Sequence, residues 1–141
     1  MPSADRFEKI KVLKRINIMN FLIIDAASDK IYFFLYYNNR SYSKFFLSSR
    51  INFEKIVSIL FKFLKNNNVH LKKIDNILVN QGPGRFSSLR ISIAITKALS
   101  LSNNIDFYGF NAKDLKDNNY ENIINLFKKG NLKKNLIKIV Y

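Results

Sequence analysis

The chain has 141 residues, enough for one domain with a real core, and 48% of them are apolar, which excludes a disordered segment. Its 24 Lys and Arg against 10 Asp and Glu give a formal net charge of +14, so either a solvated basic surface or an RNA-facing one is open. The absence of cysteine excludes disulfides, thiol catalysis and thiolate metal sites.

The lysines are scattered along the chain, and Lys, Asn and Ile are abundant throughout, as an AT-biased genome would produce. No apolar run reaches membrane-spanning length without a charge or an Asn in it. Met1 to Arg15 is charged and lacks the apolar stretch of a signal peptide, so a cytoplasmic location is expected. Residues 1–19 read as a weakly ordered basic extension, with Met19 an alternative start.

The first strong element follows directly. Asn20-Phe21-Leu22-Ile23-Ile24-Asp25 is an apolar run ending in a carboxylate, the pattern of a strand buried on both faces. Small and polar residues from Ala26 to Lys30 form a turn. Ile31 to Tyr37 and Ser41 to Leu47 are two further strands, joined by a hairpin at Asn38-Asn39-Arg40. A helix capped by Asn52 carries Phe53, Ile56, Val57, Leu60, Phe63 and Leu64 on one stripe and stops at Asn66-Asn67-Asn68. Ile74 to Asn80 is a fourth strand.

The stretch from Asn80 to Arg90 organises the chain. It joins that strand to a second helix, Ser87 to about Leu101, through Gln81-Gly82-Pro83-Gly84-Arg85-Phe86. Gly82 and Gly84 permit backbone angles that side chains forbid, and Pro83 fixes its own φ. Ser87 or Ser88 is positioned to cap the helix. Free N–H groups at such a start favour anions, although a tight turn without a ligand has the same spacing. The spacing fits neither a Walker loop nor a dinucleotide fingerprint. A short fifth strand runs from Ile105 to Phe110. Beyond it, Asn111 to Asp114 resembles a capped helix start, Tyr120, Ile123, Ile124 and Phe127 are helically spaced, Gly130 ends that helix, and Leu136 to Tyr141 reads as a terminal strand.

The order β-β-β-α-β-α-β predicts an α/β domain with a five-stranded mixed sheet, its later parallel strands on the far side of the first. That order is similar to the actin-like, sugar-kinase-like (ASKHA) fold, in which the first turn, here Asp25 to Ser28, faces phosphate. Residues 20–112 moreover resemble the N-terminal domain of the bacterial TsaB family, also called YeaZ. The resemblance rests on Phe21 to Ser28, on Gln81 to Ile91 and on Tyr108-Gly109-Phe110. Gly82, Pro83, Gly84, Phe86, Leu89, Arg90 and Ile91 match the family pattern G-P-G-S-F-T-G-L-R-I-G. Arg85 replaces a small residue, and Ser88 and Ser92 replace two glycines. The family's His after the third strand is missing from Arg50-Ile51-Asn52-Phe53. Residues 113–141 look like a remnant of the second domain that the family usually carries, so a nucleotide cleft between two lobes is not expected.

The resemblance implies a partner subunit rather than a catalyst in making tRNA N6-threonylcarbamoyladenosine, at the adenosine next to the anticodon. It implies heterodimerisation with the TsaD transferase, a further TsaE ATPase, a homodimer as an alternative, and contact with tRNA through the complex. ATP, threonylcarbamoyl-AMP and the metal would belong to the partner subunits, with no cofactor on this chain alone. The phosphate-loop-like residues would be Asp25, Ser28, Gly82, Pro83, Gly84, Arg85, Phe86 and Ser87.

The residues themselves offer little catalysis. His70 is the only histidine, in a loop, so neither a His-based metal site nor a Ser-His-acid set can be assembled without it. Asp25 alone among the carboxylates ends a central strand, either as a Mg²⁺ contact or as an acceptor for backbone N–H groups. Ser88, Ser92, Thr96 and Ser100 recur at i+4 steps, and we read this small polar stripe, with Arg90 and part of the first helix, as a docking face for a partner's helices, the alternative being a solvent-facing polar stripe. Arg90 is also placed to pair with Asp25 or a loop carbonyl. The alternatives are a small actin-fold phosphotransferase or ATPase, and a basic tRNA-binding module.

Overall fold

The computed structural model describes residues 19–117, 119–134 and 140. The basic extension and nearly all of the expected terminal strand, Leu136 to Tyr141, lie outside the described residues. A mixed sheet of six strands forms the centre, in the order β3-β2-β1-β4-β5-β6. Its strands are β1 (Phe21–Asp25), β2 (Lys30–Tyr37), β3 (Arg40–Leu47), β4 (Asn76–Asn80), β5 (Asp106–Phe110) and β6 (Lys133–Lys134). The expected five strands are all present, and the sixth is a two-residue addition antiparallel to β5.

Short turns make β1, β2 and β3 antiparallel neighbours. The hairpin turns on Asn38 and Asn39, at φ 50° and 62°, the left-handed pair that a two-residue hairpin requires and that Asn tolerates. The strands β4 and β5 run parallel to β1 on its far side. The helices are α1 (Arg50–Glu54), α2 (Ile56–Asn66), α3 (Phe86–Asn103) and α4 (Tyr120–Lys128).

Both faces of the sheet are covered, which explains the unbroken apolar run of β1. Leu22, Ile24, Ile31, Phe33, Leu35, Ile77 and Val79 point to one face, where Ile56, Leu60, Phe63 and Leu64 of α2 and Ile93 and Leu99 of α3 meet them. Phe21, Ile23, Phe34 and Leu78 point to the other, against Tyr120, Ile123 and Ile124 of α4. Each buried Leu, Ile or Phe side chain contributes about 1.5–3 kcal/mol of transfer free energy. Helix α4 therefore packs on the same sheet as the rest.

Two local expectations are corrected. The first helix begins earlier and is broken: Ser49 caps it by accepting from the Asn52 N–H, and Lys55 interrupts the run between α1 and α2. Asn52 instead donates from its side chain to the Leu47 carbonyl at 2.8 Å. Val57 lies off the buried stripe and is exposed. Likewise neither Ser87 nor Ser88 caps α3, which starts at Phe86 with no side-chain cap. The other terminal signals hold. Asn111 and Asp114 form a reciprocal capping box, and Gly130, at φ 76°, ends α4 with its N–H donating to the Phe127 carbonyl.

Candidate functional site

The carboxyl ends of the parallel strands β1, β4 and β5 bring together Asp25, Asn80 to Gly84, and Phe110-Asn111. Open α/β sheets bind ligands at such an edge. Here the edge is closed by its own side chains. Asp25 is buried, and both its oxygens are engaged. Oδ1 accepts from Asn80 Nδ2 and from the Ala27 N–H, each at 3.1 Å. Oδ2 accepts from the Tyr120 hydroxyl at 2.8 Å, across 95 residues of sequence. Asn80 Oδ1 in turn accepts from the Gly82 N–H at 2.8 Å. Burial, and then the neighbouring Asp25 charge, hold the Tyr120 hydroxyl's pKa well above the usual tyrosine range.

The glycine loop sits where it was expected, between β4 and α3, with a cis Gly82–Pro83 bond. Gly82 has φ 105°, which a side chain would strain, and Gly84 rests directly on Ala27, so that a Cβ there would overlap the Ala27 carbonyl. The Arg85 N–H donates to that same carbonyl at 3.0 Å. The two loops that the fold family turns toward phosphate thus pack on each other. With both Asp25 oxygens engaged in the fold's own hydrogen bonds as well, the arrangement favours a packed junction over a site for a nucleotide phosphate or a Mg²⁺ ion. Among the described residues, no cluster of three or more His, Asp or Glu side chains is placed to hold a metal.

Beside this junction lies a cavity of ≈ 390 Å³ bordered by Gln81, Asn111 and Asp114. Gln81 donates from Nε2 to Asn111 Oδ1 at 2.8 Å. Its Oε1 is buried without a partner among the described residues.

The remaining predicted site residues separate. Ser28 is exposed in its turn and accepts from the Lys30 N–H at 3.3 Å. Pro83, Arg85, Phe86 and Ser87 are exposed on the loop and the first turn of α3. Arg90 pairs with neither Asp25 nor a loop carbonyl. Its guanidinium lies over the Phe86 ring, 5.3 Å from the centroid. The small polar stripe is not a docking face. Ser88, Ser92 and Thr96 are buried, the last two at 0% exposure, beside Leu89, Ile93 and Leu99 on the flank facing the sheet. Small side chains let α3 settle closely on the strands. The hydroxyls of Ser92 and Thr96 donate back into the helix, Ser92 to the Leu89 carbonyl at 3.0 Å and Thr96 to the Ser92 carbonyl at 2.8 Å, so burial leaves these two satisfied. Ser100 is half-buried and donates to the Ile105 carbonyl. The outward flank of α3 carries Arg90, Ala94, Lys97, Ala98 and Leu101, with Leu101 88% exposed.

Sequence reasoning missed Tyr120 as the partner of Asp25. It read Tyr120 only as one apolar position in a helical series.

A family model described as tRNA N6-adenosine threonylcarbamoyltransferase, TsaD, matches residues 47–114. The tRNA threonylcarbamoyladenosine biosynthesis protein TsaB of Buchnera aphidicola subsp. Schizaphis graminum is 40% identical over 55 residues, covering 39% of this chain and 26% of that protein. The tRNA N6-adenosine threonylcarbamoyltransferase of Tropheryma whipplei strain Twist is 34% identical over 65 residues, 46% of this chain and 16% of that protein. Among solved structures, YeaZ from Pseudomonas aeruginosa superposes with a TM-score of 0.63 at 22% identity, over 69% of this chain and 45% of that one, and shares the actin-like fold. The match to the TsaB relative thus spans about a quarter of its length, and the match to YeaZ less than half. With its glycine loop in the strand-to-helix junction and its actin-like strand order, the chain is similar in fold to YeaZ and, over part of its length, in sequence to TsaB and TsaD proteins.

Proposed function

We propose that this chain is a non-catalytic subunit in tRNA threonylcarbamoyladenosine formation, acting by pairing with a TsaD-like transferase. The observation that carries the reading is the carboxylate tied into the fold through both of its oxygens. Asp25, the one acid at the end of a central strand, is buried and accepts from Tyr120, Asn80 and Ala27. A group in that state is a structural anchor, and the chemistry then falls to a partner. Relatives named for this biosynthesis and for the transferase itself support the same pathway. In this reading ATP, threonylcarbamoyl-AMP and metal sit on partner subunits, with a TsaE-like ATPase joining the pair, and tRNA is engaged by the assembly.

The outward flank of α3 is the proposed contact. Ala94 and Ala98 fall four residues apart, and Leu101 follows them, so the surface is low enough for another helix to approach and apolar enough to gain by burial. Co-purification with the TsaD-like transferase of the same host tests this. Ala98→Arg with Leu101→Asp should abolish the complex while the variant stays folded, and undiminished binding overturns the assignment. ATP hydrolysis by the isolated chain that disappears in Asp25→Ala would overturn the non-catalytic reading.

A further inference from the structure

At the opposite end of the helical layer, between the C-terminal ends of α2 and α3, lies an open cavity of ≈ 600 Å³. Its floor is apolar, built from Leu64, Val69 and Leu71, and the Phe61 ring, 45% exposed, forms one wall. Lys65, His70 and Lys72 stand on the rim, all exposed. None of the lining residues is acidic. We propose that this cavity is an RNA-contact site that takes an unpaired nucleotide, with the base over the apolar floor and the flanking phosphates on Lys65 and Lys72.

Charge favours an anion. Residues 48–104, which form the helical layer and β4, carry nine Lys and Arg against only Glu54 and Asp75. Glu54 is paired with Arg50 at 3.1 Å, Asp75 is turned to the Asn20 N–H at 2.7 Å, and neither lines the cavity, where three basic or ionisable side chains stand. The two helix C-termini bring about −0.5 charge each, which the rim lysines together with Lys62 and Lys73 exceed. Shape favours a nucleotide over a peptide. An amphipathic helix needs an elongated groove with anchors one turn apart. This cavity is compact, of the size that takes a small ligand. A flat aromatic wall beside lysines is the combination that stacks a base and holds its phosphates. His70 gains a role here that no catalytic set gave it. The site shares no residue with the proposed subunit contact on α3, so it stands or falls apart from that reading.

Fluorescence anisotropy with the full chain and a fluorescein-labelled single-stranded RNA twelve-mer of mixed sequence tests the proposal. Lys65→Glu with Lys72→Glu should weaken binding by about tenfold or more and flatten the log–log salt slope by about 1.4, the effect of removing two phosphate contacts. Phe61→Ala should weaken it by about tenfold through lost stacking, leaving the salt slope unchanged. Lys116→Glu with Lys128→Glu, an equal change in net charge elsewhere on the surface, should weaken binding much less. Equal losses in both charge-reversal pairs would mean attraction to net charge alone and overturn the site. So would unchanged binding in the Lys65/Lys72 pair, or preferential capture of an acidic peptide over the RNA. Circular dichroism of each variant distinguishes lost contact from lost fold.

Discussion

The two ends of the sheet are built on opposite plans. At the loop end, where a strand delivers a carboxylate to a glycine turn, the carboxylate and the strand-end Asn turn inward. Asp25 is filled by Tyr120, Asn80 and Ala27, and Gly84 rests on Ala27. At the far end, where the strand pattern points to nothing, a cavity with a basic rim stays open. A motif that marks a ligand site in one protein can persist in another as a hinge of packing, because the same glycines that admit a phosphate also admit a neighbouring chain.

The sharpest way to break this contrast is to overfill the closed side. Ser92→Trp places a large ring where exposure is 0%, between α3 and the sheet. It should cost about 3 kcal/mol or more in urea unfolding. A variant as stable as the parent would mean that the flank is open after all. Next in size is Tyr120→Phe, which removes one donor from a buried carboxylate and should cost about 1.5–3 kcal/mol. The same variant carries a pH signature. The folded Tyr120 hydroxyl keeps its proton above the pH at which an unfolded tyrosine, pKa about 10, releases it. Its contribution is therefore fully present below about pH 10 and is lost as pH rises further toward the folded value. The stability difference between parent and Tyr120→Phe should shrink above pH 10. A constant difference across that range would remove the buried hydroxyl from the account.

The smallest stability effects belong to the open surfaces. Lys65→Glu with Lys72→Glu, and separately Leu101→Asp, should leave unfolding midpoints within about 0.5 kcal/mol of the parent, since exposed side chains away from caps and cores contribute little. Each should still show its own binding defect, in RNA anisotropy for the first and in transferase co-purification for the second. A large loss of stability in either would show that the residue is part of the core rather than of a contact surface.

Much of the fold was legible in residues that act locally. Phe21 to Ile24 formed an unbroken apolar run because both sheet faces are covered. Asn38-Asn39 marked a hairpin, Gly82 and Gly84 a tight junction, and Gly130 a helix end. The break at Lys55 was not legible, because α1 and α2 share one continuous apolar spacing. The inward flank of α3 was misread for a related reason. Ser88, Ser92 and Thr96 look like surface residues, and a stripe of hydroxyls carries no hydrophobic signal even where the helix satisfies Ser92 and Thr96 internally. Within the candidate site, Asp25 stood out as the acid at a strand end, but what it does depends on Tyr120.

Local pattern alone thus determined the strand order, the glycine junction and the basic character, because strands, turns and charge follow from neighbouring residues. Only the tertiary structure decided which surfaces are closed. A hydroxyl 95 residues away fills the carboxylate, and close packing of α3 on the sheet buries the stripe. Both outcomes depend on distances between segments that no short window of sequence contains.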